Sequence, residues 1–333
     1  MENKYDLVAI GDTATDVFIR LLDDSGAVVS GTPDTESYRI SLPFGDKIPY
    51  SKSTTVAGVG NAPNAAVAAA TIGLKSALVA HIGSDKAGQE TIDTLKKCGV
   101  DTTFISAEDG KETNYSYILW YKEERTILRR HEDFSYSLPD IGKPSWVYFS
   151  AVGGNAEKFY ESFADYVEKN TDVKFAFQPG GNEVSLGKKL SRFYKRADIF
   201  FCNVEEAGKI LEVGDLNIKD LLQEIHKLGT KIVVITDGPK GAYAYDGQDF
   251  LFIPPYPDPK PPLERTGAGD AFSSTVVAAL ALGKSLGEAL AWGAINSMSV
   301  VQHVGAQAGL LNKEKIEEYL KNAPANYKAE KIK

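Results

Sequence analysis

The chain has 333 residues, 43% hydrophobic and 25% charged, with a formal net charge of −8. An acidic balance without a basic stripe excludes a general nucleic-acid binder, and no apolar run approaches the about 20 residues of a membrane span. Two distant cysteines, Cys98 and Cys202, with no Cys/His cluster at metal-ligand spacing, exclude a disulfide framework and a structural zinc site.

Residues 1–6 lack the apolar core of a signal peptide, so the expectation is a soluble, cytoplasmic protein. Residues 5–11 read as a buried strand ending at Gly11. Residues 12–58 hold short β-prone pieces, 17–21, 38–42 and 53–56, joined by Gly, Pro, Asp and Ser; the pattern predicts a small antiparallel sheet. A helix follows from Ala62, with Pro63 in its first turn, an alanine-rich body through Ile72 and a stop at Gly73. Its composition predicts close packing against a sheet. Strand 76–82, helix 86–97 and strand 101–106 come next. Residues 113–131 are β-prone again, with a hairpin around Lys122-Glu123-Glu124, and this second patch can join the first in one sheet. From 144 onward strands at 146–150, 173–178, 198–202 and 231–236 alternate with helices at 155–169, 184–195, 203–211 and 216–228. A β pair near 241–253, an extended proline-rich segment from Pro254 to Pro262, helices at 269–282, 285–302 and 312–322, and a solvated Lys/Glu-rich tail complete the chain. The alternation predicts an α/β fold, a mainly parallel central sheet flanked by helices on both faces. We expect a single domain over 1–333, with the small sheet inserted at about 13–58 and 102–131.

In such a sheet, ligands bind beyond the carboxyl ends of the strands. Gly11, Asp12 and Asp16 follow the first strand, Asn203 and Glu206 follow strand 198–202, and Thr236, Asp237, Gly238 and Gly241 follow strand 231–236. After the prolines, Glu264-Arg265-Thr266-Gly267-Ala268-Gly269-Asp270 opens directly into an apolar helix. Free N–H groups and the positive end of a helix dipole meet there, which suits an anion. Each motif also has a structural reading. Asp270 can simply complement the dipole. Asn203 and Glu206 have the spacing of a capping box. Gly60-Asn61-Ala62-Pro63-Asn64 can be a helix entry capped by Asn61, and Asp237-Gly238 is a common turn pair. The four histidines, His81, His131, His226 and His303, share no helical or strand spacing. Arg129-Arg130-His131 is a small basic knot, read either as a solvated strand end or as a contact for an anionic substrate group. There is no G-x-S-x-G elbow, no G-x-G-x-x-G after the first strand and no Walker A sequence.

In order along the chain, these motifs resemble the ribokinase / phosphofructokinase-B family of carbohydrate kinases over nearly the full length. The most specific match is Glu264 to Asp270, where the family reads D-T-x-G-A-G-D; the glycine-asparagine segment at Gly60 to Asn64, Asn203 with Glu206, Thr236 with Gly238 and Gly241, and Gly305-Ala306 after a helix carrying Asn296 complete the set. The resemblance implies a ribokinase-like fold and ATP-dependent phosphorylation of a hydroxymethyl group of a sugar or sugar derivative. Asp270 would be the general base, its carboxylate kept ionised by the helix N-terminus, and the N–H groups of Gly267, Ala268 and Gly269 would form an anion hole. Asp16, Gly60, Asn61 and Asn64, with Asp12 beside them, would hold the acceptor. Asn203, Thr236, Gly238, Gly241, Asn296 and Gly305 would line the nucleotide site. Glu206 would organise Mg²⁺ through water, and Glu264 would lie near a monovalent-cation site. The two β patches would form a lid over the substrate, and in many relatives that lid pairs into a homodimer. The chain departs from the family at Glu264, which replaces Asp; at Arg265, which replaces a small residue; at Val59, which replaces Gly; and at Ala14, where ribose-specific relatives carry Asn. A nucleoside kinase of the same fold, with Tyr115, Tyr117 and Trp120 as an aromatic face, is the alternative acceptor class. A non-catalytic sugar- or nucleotide-binding relative is a further alternative, against which the intact Gly267-Ala268-Gly269-Asp270 argues.

Overall fold

The computed structural model describes residues 4–31, 38–122, 124–214 and 216–332. Ten strands form one sheet, ordered from one edge as Glu330–Lys331, Phe250–Ile253, Ala242–Tyr245, Ile232–Thr236, Ile199–Asn203, Lys174–Phe177, Trp146–Phe149, Leu7–Ile10, Ser76–Gly83 and Ile105–Glu108. All strands from Ile232–Thr236 to Ile105–Glu108 run parallel, and the three at the other edge are antiparallel. Leu7–Ile10 is buried throughout, as a strand covered on both faces must be. Its residues alternate between two apolar layers. Leu7 and Ala9 join Leu78, Tyr148 and the helices Asn61–Ile72, Ala268–Ala281 and Leu286–Val300. Val8 and Ile10 join Val79, Phe149 and the helices Glu157–Lys169, Val204–Leu211 and Ile218–Lys227. The first layer is built on alanine, which brings helix and sheet close. The second is built on phenylalanine, with Phe149 and Phe163 ring centres 4.7 Å apart.

This topology places the functional crevice. Strand Leu7–Ile10 sits between Ser76–Gly83 and Trp146–Phe149, so the chain leaves it on one side and returns on the other. The connections diverge at that switch and leave a gap beyond the strand ends. Helix Ala268–Ala281 borders the gap and packs between Asn61–Ile72 and Leu286–Val300. Gly293 sets its depth, because a Cβ there would come within 2.8 Å of the Phe272 carbonyl and the Val276 side chain.

Several expectations change in detail. The small sheet has the order Tyr50–Val59, Ala14–Leu21, Asn114–Tyr121, Glu124–Arg130. Its outer pairings are antiparallel, but Ala14–Leu21 runs parallel to Asn114–Tyr121. Helices Asn61–Ile72 and Lys86–Lys97 and the large-sheet strands Ser76–Gly83 and Ile105–Glu108 lie between those two strands in sequence and supply the long crossover that a parallel pair needs. The piece at 38–42 forms Arg39–Ser41, paired with Val28–Ser30 in a separate ribbon. The predicted strand 101–106 forms at Ile105–Glu108. The predicted helix 184–195 is split into Gly181–Leu186 and Ser191–Arg196 by a 3-10 turn, where Gly187 interrupts it. Helix Asn61–Ile72 is capped by Gly60, with Asn61 its first residue. The tail is docked: Glu330–Lys331 pairs with Phe250–Ile253, and the Tyr327 hydroxyl donates to the Ala291 carbonyl. Glu123 of the predicted hairpin tip and residues 32–37 of the first patch lie outside the described residues.

Because Gly293 meets its neighbours at contact distance, Gly293→Ala is expected to lower stability by about 1–3 kcal/mol through overpacking. Gly287→Ala, on the same helix, meets only Ala329 at 3.4 Å and is expected to be neutral or slightly stabilising. Urea unfolding of the two variants measures the contrast; equal effects would show that this helix contact does not set the packing depth.

Candidate active site

Asp270 lies in the first turn of helix Ala268–Ala281. Each of its carboxylate oxygens is met by a side-chain amide. Asn64 Nδ2 donates to Oδ2 at 2.8 Å, and Gln178 Nε2 donates to Oδ1 at 3.0 Å. Both amides are held in orientation from behind. Gln307 Nε2 donates to Asn64 Oδ1 at 2.9 Å and also contacts the Gly58 carbonyl at 2.8 Å, while the Tyr148 hydroxyl donates to Gln178 Oε1. Tyr148 itself lies 2.8 Å from Ser273 Oγ, one turn beyond Asp270. With their oxygens occupied, the amides can present only N–H groups to the carboxylate. Burial pushes the Asp270 carboxyl above the ordinary carboxylate value, and the two amide bonds oppose that rise.

The turn before the helix is shaped by Gly267, whose φ of 79° is left-handed; a side chain there would overlap Ala306. Among the described residues, the N–H groups of Gly267 and Gly269 have no acceptor, whereas Ala268 N–H points at the Arg265 carbonyl at a long 3.4 Å. Two free donors beside a helix start make an anion-accepting corner. Glu264 holds the turn from below. It is buried, and its Oε1 accepts from Thr266 N at 2.7 Å and from the Thr266 hydroxyl. Arg125 Nε, from the small-sheet hairpin, lies 3.6 Å from the same oxygen.

Asp16 stands on strand Ala14–Leu21, in register with Val56, Ser116 and, one strand further, Arg129. Burial pushes its carboxyl up, the Ser116 bond opposes this, the nearby Glu264 charge adds to it and Arg129 counters it. Asp12 is already engaged. His131 Nε2 is 2.7 Å from Oδ2, and the Tyr136 hydroxyl is 2.9 Å from both oxygens. His131 Nδ1 faces the Glu132 carbonyl at 3.1 Å, so the ring bridges two acceptors. Asp12 thus ties the end of the small sheet to the large one. Gly60 and Asn61 lie at the start of the helix that carries Asn64. The expected aromatic face is not assembled: strand alternation puts Tyr115 and Tyr117 on one face and Trp120 on the other, beneath the Arg20 guanidinium.

On the far side of the turn, a cavity of about 340 Å³ brings Thr236, Gly238 and Gly241 together with Ala268, Gly269, Ser297 and Met298. Asn203 pairs with Thr236 across adjacent strand ends. Asn203 and Glu206 form the capping box, each bonding the other's backbone N–H at 2.9 Å. Burial raises the Glu206 carboxyl, its bond to the Asn203 backbone opposes this, and the charge of Asp270 adds to it. Three expected residues, Asn203, Asn296 and Gly305, do not line this cavity. Asn296 is fully buried and bonds Thr275 Oγ1 and Leu311 N. Gly305 lies against Val56 and Phe18 of the small sheet. Sequence reasoning missed Gln178, Tyr148, Gln307, Tyr136 and Arg125. Gln178 was within reach, since it directly follows strand Lys174–Phe177 and obeys the strand-end rule that singled out Asp12 and Asn203.

Residues 32–313 match the pfkB family carbohydrate kinase family. The cytidine kinase of Thermococcus kodakarensis is 28% identical, covering 77% of this chain and 92% of that protein. The 5-dehydro-2-deoxygluconokinase of Bacillus subtilis is 24% identical, covering 96% and 97%. In three dimensions the chain is similar to the ribokinase of Arabidopsis thaliana solved with ribose and ATP, with a TM-score of 0.77 at 19% identity, covering 95% and 99%. That likeness identifies the fold as ribokinase-like, and the match over most of the length identifies the chemistry: the chain belongs to the pfkB family of carbohydrate kinases, ATP-binding phosphotransferases that act on an alcohol group.

Proposed function

We propose that this kinase phosphorylates a hydroxymethyl group of a sugar or sugar derivative, with Asp270 as general base and the Gly267–Gly269 turn as anion hole. The observation that carries the reading is the placement of one carboxylate, gripped by two oriented amides, beside free backbone donors at the start of a helix. A base must be deprotonated and within reach of the hydroxyl it serves. The amides favour the ionised form and fix its direction, while burial keeps it basic enough to take a proton. The N–H groups of Gly267 and Gly269 then face charge that builds on the transferring phosphoryl group.

Asp16, Gly60, Asn61 and Asn64 would hold neighbouring hydroxyls of the acceptor, and Asp12 would act indirectly by anchoring the small sheet. We take the whole chain as one kinase domain and the small sheet as a lid. Its outer face exposes Tyr117 and Leu128, 48% and 53% accessible, which supports pairing of two lids in a homodimer. Thr236, Gly238 and Gly241 would face the nucleotide phosphates. Among the described residues, no group of three His, Cys, Asp or Glu side chains could hold a metal, so Mg²⁺ would be held chiefly by phosphate oxygens and water. Glu206 fits that role with the oxygen its capping box leaves unused, and the ion would supply charge neutralisation of the phosphates. At Glu264, Thr266 and Arg125 meet Oε1 while Oε2 is buried without a partner among the described residues, so one carboxylate oxygen is left that a monovalent cation would use.

Asp270→Asn is expected to lower kcat by a factor of about 10²–10⁴ while ATP and acceptor still bind. A coupled ADP-release assay over sugars, sugar acids, sugar phosphates and nucleosides, with titration calorimetry for binding, checks both halves; kcat retained within about threefold would sink the base assignment. The pH profile is a second check. The Asp270 carboxyl sits above 3.8, so activity should be present above that raised value and lost as pH falls through it. Gln178→Met removes a donor that favours the carboxylate, so the acid limb of kcat/KM should move to higher pH. An unmoved limb would show that Gln178 does not serve the titrating group.

A further inference from the structure

We propose that the cleft between the small sheet and the segment 261–265 binds a phosphate dianion. It is a cavity of about 500 Å³ lined by Arg20, Trp120, Lys122 and Arg125 of the small sheet and by Arg265 of the facing segment, with Glu124 and Glu264 the acids among the described residues that line it. The register explains the concentration of charge. Lys52, Arg20, Trp120 and Arg125 stand opposite one another across four strands, in a single transverse row on one face.

Among the described residues, one of the cavity's cations has an ion-pair partner, and Arg265 also feels the charge of Asp258. Arg125 pairs with Glu264 at 3.6 Å. Among the described residues, Arg20, Lys122 and Arg265 have no carboxylate within ion-pair distance. The chain carries 45 acidic residues against 37 basic ones, so partners were not scarce. The Arg20 guanidinium lies 4.6 Å from the Trp120 ring centre, which braces it flat and leaves its N–H edge available. Unpaired guanidinium groups and an ammonium on opposite walls match a dianion with several acceptor oxygens better than a single carboxylate. Arg265 lines this cleft and also the cavity at Thr236, Gly238 and Gly241, so the site adjoins the proposed anion hole. Arg20 shares its strand face with Asp16, about 13 Å away at the usual rise. The phosphate can therefore be borne by the acceptor, in which case this inference rests on the proposed function, or be free in solution as an effector.

Calorimetric titration of the full chain with inorganic phosphate, at ionic strength held constant with chloride, tests the site. Binding should be phosphate-specific, and at least tenfold weaker in Arg20→Ala/Lys122→Ala and in Arg265→Ala, which act from opposite walls. No phosphate-specific heat, or unchanged affinity in both variants, overturns the proposal. Rate measurements with matched pairs of a sugar and its monophosphate then identify the source. If phosphate competes with the phosphorylated acceptor, and the double variant raises that acceptor's KM at least tenfold with kcat unchanged, the acceptor bears the phosphate. If phosphate alters rates without competing, it acts free in solution. ADP release from no acceptor at all would count against the proposed function and leave the calorimetric result standing.

Discussion

The grip of Asn64 and Gln178 on the Asp270 carboxylate is the constraint on which the site depends. A carboxylate taken out of water must be met by donors or lose its charge. Here the donors come from helix Asn61–Ile72 and from the end of strand Lys174–Phe177, while the acid belongs to the start of helix Ala268–Ala281. The three meet only if both helices pack on the same face of the sheet and the strand ends align. Alanine-rich packing and the bare backbone at Gly293 allow that approach. The positions of Tyr148 and Gln307 then decide which end of each amide faces inward. Fold and chemistry are thus joined through four side chains rather than through the glycine motif alone.

The glycine motif was nonetheless the legible part. Helix starts, left-handed glycine stops and uninterrupted apolar strands are local signals, and they gave the α/β architecture and most boundaries within a few residues. Failures came where the deciding contact is distant in sequence. Nothing within Ala14–Leu21 says that its neighbour will be a parallel strand from Asn114 onward. Nothing near Glu330 says that the tail will extend the sheet. The site divided in the same way. Gly267, Asp270 and the Asn203–Glu206 pair were visible as motifs. Gln307, in a loop after a helix, had no signal, and Arg125 read as an ordinary hairpin charge.

The capping box shows why structural and functional readings need not compete. Asn203 and Glu206 close the start of helix Val204–Leu211. The same bonds fix Glu206 at a strand end and leave one of its oxygens unused. A residue held by a cap is pre-oriented for a ligand, and no side-chain entropy remains to be lost when one arrives. Asn296 is the opposite case: both ends of its amide are spent inside the packing of the last two long helices and Leu311, so its polarity serves the core.

Charge follows one rule around the crevice. Asp16, Glu206 and Asp270 are all pushed above the ordinary carboxylate value, burial being the largest cause for each, and Glu206 is raised further by Asp270. Across the Gly267 turn the sign reverses, where among the described residues Arg20, Lys122 and Arg265 have no carboxylate within ion-pair distance. An isolated fold would lower its energy by letting these groups pair, as Arg192 does with Glu161, Asp165 and Glu168. At the Gly267 turn, free backbone N–H groups stand beside these cations. A highly charged ligand at that turn would be met by backbone donors and cations together, which is the arrangement the proposed site calls for.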